Sequence, residues 1–166
     1  MKYRSSTLLA LGLAACMQAS AAPALHVSRP DITLEGAKRL LDATMDACHA
    51  EGKTLAAAVV DRSGNLVALQ RDDSVGPHNT LAAQRKAYTA LSTKTATGKL
   101  ADNARANAKT LNLNTVSELL LLGGGIPLNA GTAVIGALGV AGAGGPEMDE
   151  SCAMTALARI FPPVSN

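Results

Sequence analysis

The chain has 166 residues, of which 48% are hydrophobic, 17% charged and 2% aromatic, a composition that suits one globular domain and excludes a disordered tail or a coiled coil. Fifteen basic against thirteen acidic residues leave a formal charge of +2. With no Trp, one Phe and two Tyr, there is neither a base-stacking platform nor a basic stripe, which argues against a nucleic-acid partner.

The first segment reads as an address. Lys2 and Arg4 precede an apolar run from Leu8 to Ala15, and the small residues Ala19, Ser20 and Ala21 follow, which supplies the charged, apolar and cleavage parts of a secretory signal over residues 1–21. Leu13-Ala14-Ala15-Cys16 also fits a bacterial lipobox, in which Cys16 is acylated and 22–31 becomes part of a tether. Cleavage after Ala21 gives a free periplasmic or extracellular protein, and acylation at Cys16 gives a membrane-anchored one. The membrane is a partner only in the second case.

Cleavage after Ala21 removes Lys2 and Arg4 and leaves thirteen charges of each sign, so no charged partner is implied. Cys16 leaves as well, and Cys48 and Cys152 remain as an even pair in an oxidising compartment. A disulfide is the simplest reading of that pair, and two buried thiols acting as small hydrophobes are the alternative. A bridge would close a loop of about 100 residues and, in the entropic picture, constrain the unfolded chain by up to about 4.7 kcal/mol.

Along the domain, 32–161, Thr33 is a candidate N-cap. Leu34, Ala37, Leu41, Met45 and Cys48 recur at helical spacing until Gly52, which predicts an amphipathic helix. Leu55 to Asp61 and Leu66 to Arg71 flank Arg62-Ser63-Gly64-Asn65, a β-hairpin with Gly64 or Asn65 at positive φ. Gly76-Pro77 marks a loop, and Thr80 to Thr93 predicts a helix with Leu81, Gln84, Ala87, Tyr88 and Leu91 along one side. Lys99 to Lys109 reads as a more polar helix that breaks at Asn112-Leu113-Asn114.

From Leu119 the pattern turns to sheet. Leu119 to Leu122, Gly123-Gly124-Gly125, Ile126-Pro127-Leu128, the Asn129-Ala130-Gly131 turn and Ala133 to Val140 read as two or three strands. Gly136 and Gly139 inside a strand signal close backbone approach. Pro146 at the first helical position, with Glu147, Asp149 and Glu150 complementing the dipole, starts a last helix that ends near Ile160, before a tail at 162–166. The fold class is α+β, an antiparallel sheet of about five strands flanked by helices, which is distinct from a Rossmann arrangement.

These blocks together resemble the GlcG/HbpS-like family, related to the C-terminal domain of the PduO corrinoid enzymes. The carriers are Leu34-Glu35-Gly36-Ala37, Val59-Val60-Asp61 with Gly64, Arg71-Asp72-Asp73, Lys86-Ala87-Tyr88-Thr89-Ala90, Gly123-Gly124-Gly125-Ile126-Pro127, Ile135 to Val140, and Asp149-Glu150 with Cys152-Ala153. At 111–118 the chain departs from the family's Pro-Gly-rich text. The resemblance implies a compact, profilin-like domain that assembles into homo-oligomers and, in several members, binds haem.

Imidazole is the usual protein ligand for haem iron. Of His26, His49 and His78, the last stands at the mouth of a helix whose N-terminal amides suit an anionic group, and it is the candidate axial ligand. Lys86 is the candidate propionate partner, with Tyr88 and Arg71 as further haem contacts, in a cleft between the sheet and the Thr80 to Thr93 helix. His78 with Asp72 and Asp73 is a weaker metal-ligand set. No G-x-S-x-G elbow supports hydrolysis. The leading expectation is an exported, non-enzymatic haem-binding protein. The alternative is an oligomeric accessory or sensory protein that holds a small organic acid or no cofactor.

Overall fold

The computed structural model of the chain describes residues 25–161. The signal-peptide and lipobox positions, Cys16 and Ala21 among them, and the tail 162–166 lie outside the described residues.

Helix α1, Leu34–Ala50, starts where the Thr33 hydroxyl accepts a hydrogen bond from the Gly36 N–H at 3.0 Å. It stops before Gly52 at φ +66°, and its buried side carries Ala37, Leu40, Leu41, Thr44 and Cys48. Strands β1, Ala56–Asp61, and β2, Leu66–Arg71, form the expected hairpin, with Gly64 at φ +87°. The Asp61 carboxylate closes the turn by accepting the N–H groups of Ser63 and Asn65, each at 2.8 Å.

Helix α2, His78–Thr93, is followed by α3, Thr97–Ala106, the short α4, Ala108–Leu111, and a 3-10 turn, Asn112–Thr115. The polar helix predicted over Lys99 to Lys109 breaks earlier than expected, at Asn107, whose side chain accepts the Lys109 N–H at 3.0 Å and caps a new turn. Strands β3, Gly125–Ala130, and β4, Ala133–Ala141, precede α5, Pro146–Ile160.

The sheet has four strands in the order β2-β1-β4-β3, each neighbouring pair antiparallel. The expected fifth strand is absent among the described residues, for an identifiable reason. The backbone around Leu119 to Leu122 bonds to side chains instead of a ladder: Leu119 O accepts from Arg85, Leu120 N–H donates to the Thr89 hydroxyl, and Leu122 O accepts from the Thr97 hydroxyl. Three side chains thus take the place of a neighbouring strand.

Alternate β1 residues serve opposite layers. Ala57 and Val59 pack with Leu40, Leu41, Cys152 and Ala153 of α1 and α5, whereas Ala56, Ala58 and Val60 meet Ala83, Ala87 and Ala90 of α2. Cys48 and Cys152, 104 residues apart, form a disulfide between α1 and α5 with Cα atoms 5.3 Å apart.

On the other face α2 lies very close to the sheet. A Cβ on Gly139 would collide with the Ala83 carbonyl, and one on Gly125 with the Lys86 carbonyl. Glycine is required in these strands because the helix backbone occupies the side-chain layer. No helix among the described residues is long and apolar enough to cross a membrane.

Candidate functional site

The close seating of α2 corrects two expectations. There is no room for a macrocycle between this helix and the sheet, since helix backbone touches strand backbone at Gly125 and Gly139. The predicted stripe of Leu81, Gln84, Ala87, Tyr88 and Leu91 is also split, with Ala87 against the sheet. The buried residues of the helix are Ala83, Lys86, Ala87, Thr89 and Ala90, while Leu81 is 60% and Tyr88 37% exposed. Only small or slender side chains fit beneath a helix held this close, so the bulky ones point outward.

Those outward residues wall a groove of about 520 Å³, with Val60, Gly64 and Leu66 of the hairpin on one side and Ser117 and Glu118 on the other. Leu81, Gln84, Arg85 and Tyr88 supply the helix side, at the three- and four-residue steps that place them on one face. The Tyr88 ring covers the hairpin turn: a Cβ on Gly64 would lie 2.8 Å from its Cε2. The segment 111–118, where the chain departs from the family pattern, thus ends in the groove wall.

His78 is exposed at the first position of α2, one turn, about 4.5 Å of helix rise, before Leu81. It shares the outward face with the groove without lining it. Arg71 is exposed at the far end of β2, about 17 Å of strand from Leu66. Of the four haem-contact candidates, only Tyr88 lines the groove.

Lys86 is buried, with 1% of its side chain exposed, and its ammonium donates to Val140 O at 2.9 Å and to Asp149 Oδ2 at 2.7 Å. The other carboxylate oxygen, Asp149 Oδ1, accepts the Ala143 N–H at 2.8 Å. This ion pair ties α2 to β4 and α5 across the molecule. Asp149 is therefore more than a dipole complement at the start of α5, and Lys86 meets a propionate only if it first leaves Asp149.

The weaker metal set does not assemble. Among the described residues no three His, Cys, Asp or Glu side chains converge on a common point. Asp72 turns instead to His49, whose Nε2 lies 2.9 Å from Oδ2, and the same oxygen accepts the Leu55 N–H at 2.9 Å. The carboxylate is taken up in joining the end of α1 to the hairpin. Asp73 is exposed. His26 is also exposed, in the extended segment before Pro30.

A second hollow of about 490 Å³ lies between α3 and the first turns of α5, bordered by Lys99, Asp102, Arg105, Glu147 and Glu150. Charges of both signs line it, and Asp102 is already paired with Arg105. It offers no broad apolar wall, and the α2 groove is the better site for an apolar ligand.

Reading the sequence alone passes over Leu81, Arg85 and Glu118 as groove residues. Gly125 and Gly139 held the usable signal: strand glycines facing an Ala-rich helix stripe mean that the helix buries its small side and presents its large one.

The similarities to known proteins follow the same span of chain. A solved structure of HbpS superposes with a TM-score of 0.77 and 34% identity, over 84% of this chain and 97% of that one. A solved complex of PduOC with haem gives 0.70 and 26%, over 77% and 94%. A 15.0 kDa protein encoded in the dhaT-dhaS intergenic region of Citrobacter freundii is 33% identical over 128 residues, 76% of this chain and 89% of its own length. The profile described as haem degrading protein HbpS-like matches residues 32–158, and the chain belongs to that HbpS-like family.

Proposed function

We propose that the protein is an exported haem-binding protein whose ligand lies in the α2 groove. The observation that carries this reading is the groove itself: about 520 Å³ of concave surface with Val60, Leu66, Leu81 and Tyr88 along it, on the helix face that begins with His78. A haem-bound relative, PduOC, supports the choice of ligand. Export rests on the basic, apolar and small-residue pattern of residues 1–21, and assembly into homo-oligomers belongs to the same reading.

The residues present suit the group. Leu66 and Leu81 provide apolar contact for a macrocycle, Tyr88 provides an aromatic face, and His78 is an accessible imidazole one helical turn away. Bound haem would supply an iron centre for ligand binding or redox chemistry. The protein's part is to shield one face of the ring and hold an imidazole near the iron.

The test is a spectroscopic haem titration of the domain 22–166, wild type beside His78→Ala and Leu81→Glu. Saturable Soret growth that weakens in Leu81→Glu supports the groove, and a changed ligand-field spectrum in His78→Ala supports that residue as axial ligand. Saturation that is indifferent to Leu81→Glu overturns the location. No saturable change in the wild type overturns haem as ligand and favours an accessory protein that holds a small organic acid or nothing. Because the family description names haem degradation, the titrated sample is also followed with time. A persistent Soret band agrees with a binder, and steady bleaching under a reductant and oxygen overturns the non-enzymatic part of the proposal.

A further inference from the structure

Most lysines and arginines among the described residues are exposed at the surface, whereas Arg85 is partly buried. Of these cations, Lys86 pairs with Asp149 and Arg105 with Asp102. Among the described residues no carboxylate lies within ion-pair reach of the Arg85 guanidinium. Its Nη2 donates to Leu119 O at 2.6 Å, and its Nε is buried with no hydrogen-bond partner. A buried donor left unmade is costly, and in a native protein it calls for an explanation.

The same side chain lines the α2 groove, beside Leu81 and Tyr88. Guanidinium is the cation best matched to a carboxylate, because its planar fork donates two parallel hydrogen bonds. The bond to Leu119 O already restrains that fork, so binding an anion orders less than it would on a free arginine. Glu118 lines the groove as well without pairing to Arg85, and it adds a negative charge that opposes an incoming anion.

We propose that Arg85 is the carboxylate anchor of the groove, so that the site takes an apolar ligand bearing an acid group and discriminates against the same ligand with that group blocked. This rests on the groove reading above and adds its specificity determinant. In haem the acid groups are the propionates, and in the alternative reading the acid is that of a small organic molecule. The chemistry recognised is the same.

The experiment titrates the wild type, Arg85→Met, Arg85→Lys and Glu118→Gln with haem and with haem dimethyl ester, in which both propionates are esterified. The wild type is expected to prefer the free acid by about tenfold or more, the usual weight of a charge-assisted hydrogen bond. Arg85→Met should bring the two ligands within about twofold of each other, Arg85→Lys should keep part of the preference because it keeps the charge, and Glu118→Gln should tighten the free acid. Equal binding of both ligands by the wild type, or an undiminished preference in Arg85→Met, overturns the proposal. Arg85→Lys also guards against misfolding, since it keeps a long cationic side chain beside Leu119. Where neither haem form binds, titration with decanoate separates the two ideas. Saturable binding lost in Arg85→Met upholds the anchor while the haem reading falls, and no binding overturns the anchor as well.

Discussion

On one face of the sheet, α1 and α5 bury Leu40, Leu41, Leu55, Val59, Leu128 and Leu138 around the Cys48–Cys152 disulfide. On the other, α2 buries little beyond Ala56, Ala58, Ala83, Ala87, Ala90 and Ala137, with Val60 and Val75 as the larger members. Hydrophobic stabilisation scales with apolar area removed from water, roughly 25 cal/mol per Å², so the second face draws much less from burial. It is held by close backbone approach at Gly125 and Gly139 and by the buried Lys86–Asp149 pair. The difference bears on function. A helix that packs through its alanines has its leucine and tyrosine left over, and these make the groove.

The sharpest way to break this contrast is to remove the charge under α2. Lys86→Met leaves Asp149, 3% exposed, buried with only the Ala143 N–H as partner. Breaking a buried pair from one side costs about 3–5 kcal/mol, because the remaining charge is uncompensated. Urea denaturation should show a loss of that size, and the double variant Lys86→Met/Asp149→Leu should recover much of it. A single variant as stable as the wild type would mean that α2 is held by its alanines alone.

What could be read in advance divides along the same line. The Thr33 cap, the Gly64 turn, the Pro146 start of α5 and the pairing of Cys48 with Cys152 are local or combinatorially simple signals, and each is found in the structure. The α2 face was poorly legible because its determinants lie far apart in the chain. Lys86 meets Asp149 across 63 residues, and Arg85 meets Leu119 across 34. Hydrophobic periodicity set Leu81, Gln84, Ala87, Tyr88 and Leu91 along one side, and the usual rule that the larger residues of such a side position the helix does not apply. Here strand glycines position it. The Leu119 to Leu122 run read as a strand for a similar reason: its apolar character is visible locally, whereas the side chains of Arg85, Thr89 and Thr97 that take its backbone bonds are not.

The disulfide tests the opposite face with a smaller expected effect. Cys48→Ala/Cys152→Ala should lower stability by about 2–4 kcal/mol, largely through the greater freedom of the unfolded chain. Because α1 and α5 share no wall with the groove, haem affinity should stay within about twofold when the protein remains folded. Amide exchange should quicken in α5 more than in α2. Equal loss of protection in both helices would show that the two faces form one cooperative unit.

The smallest expected effect lies where the groove meets the hairpin. Burial raises the Asp61 carboxyl pKa, but hydrogen bonds from the Asn65 side chain and from the N–H groups of Asn65, Ser63 and Gly64 outweigh it, and the net value falls below the usual 3.8. A carboxyl whose folded value is lowered binds fewer protons folded than unfolded in this range. Its contribution is therefore complete above the unfolded value and is lost as pH falls through the folded one. Stability should decline below about pH 3.8 in part through this group, by no more than about 1 kcal/mol for so accessible a turn. Asp61→Asn should flatten that part of the acid limb in urea midpoints measured from pH 6 to 2. Since the turn seats Gly64 beneath Tyr88, the same variant should alter the tyrosine fluorescence anisotropy at neutral pH, and an unaltered acid limb would assign the acid sensitivity to other carboxylates.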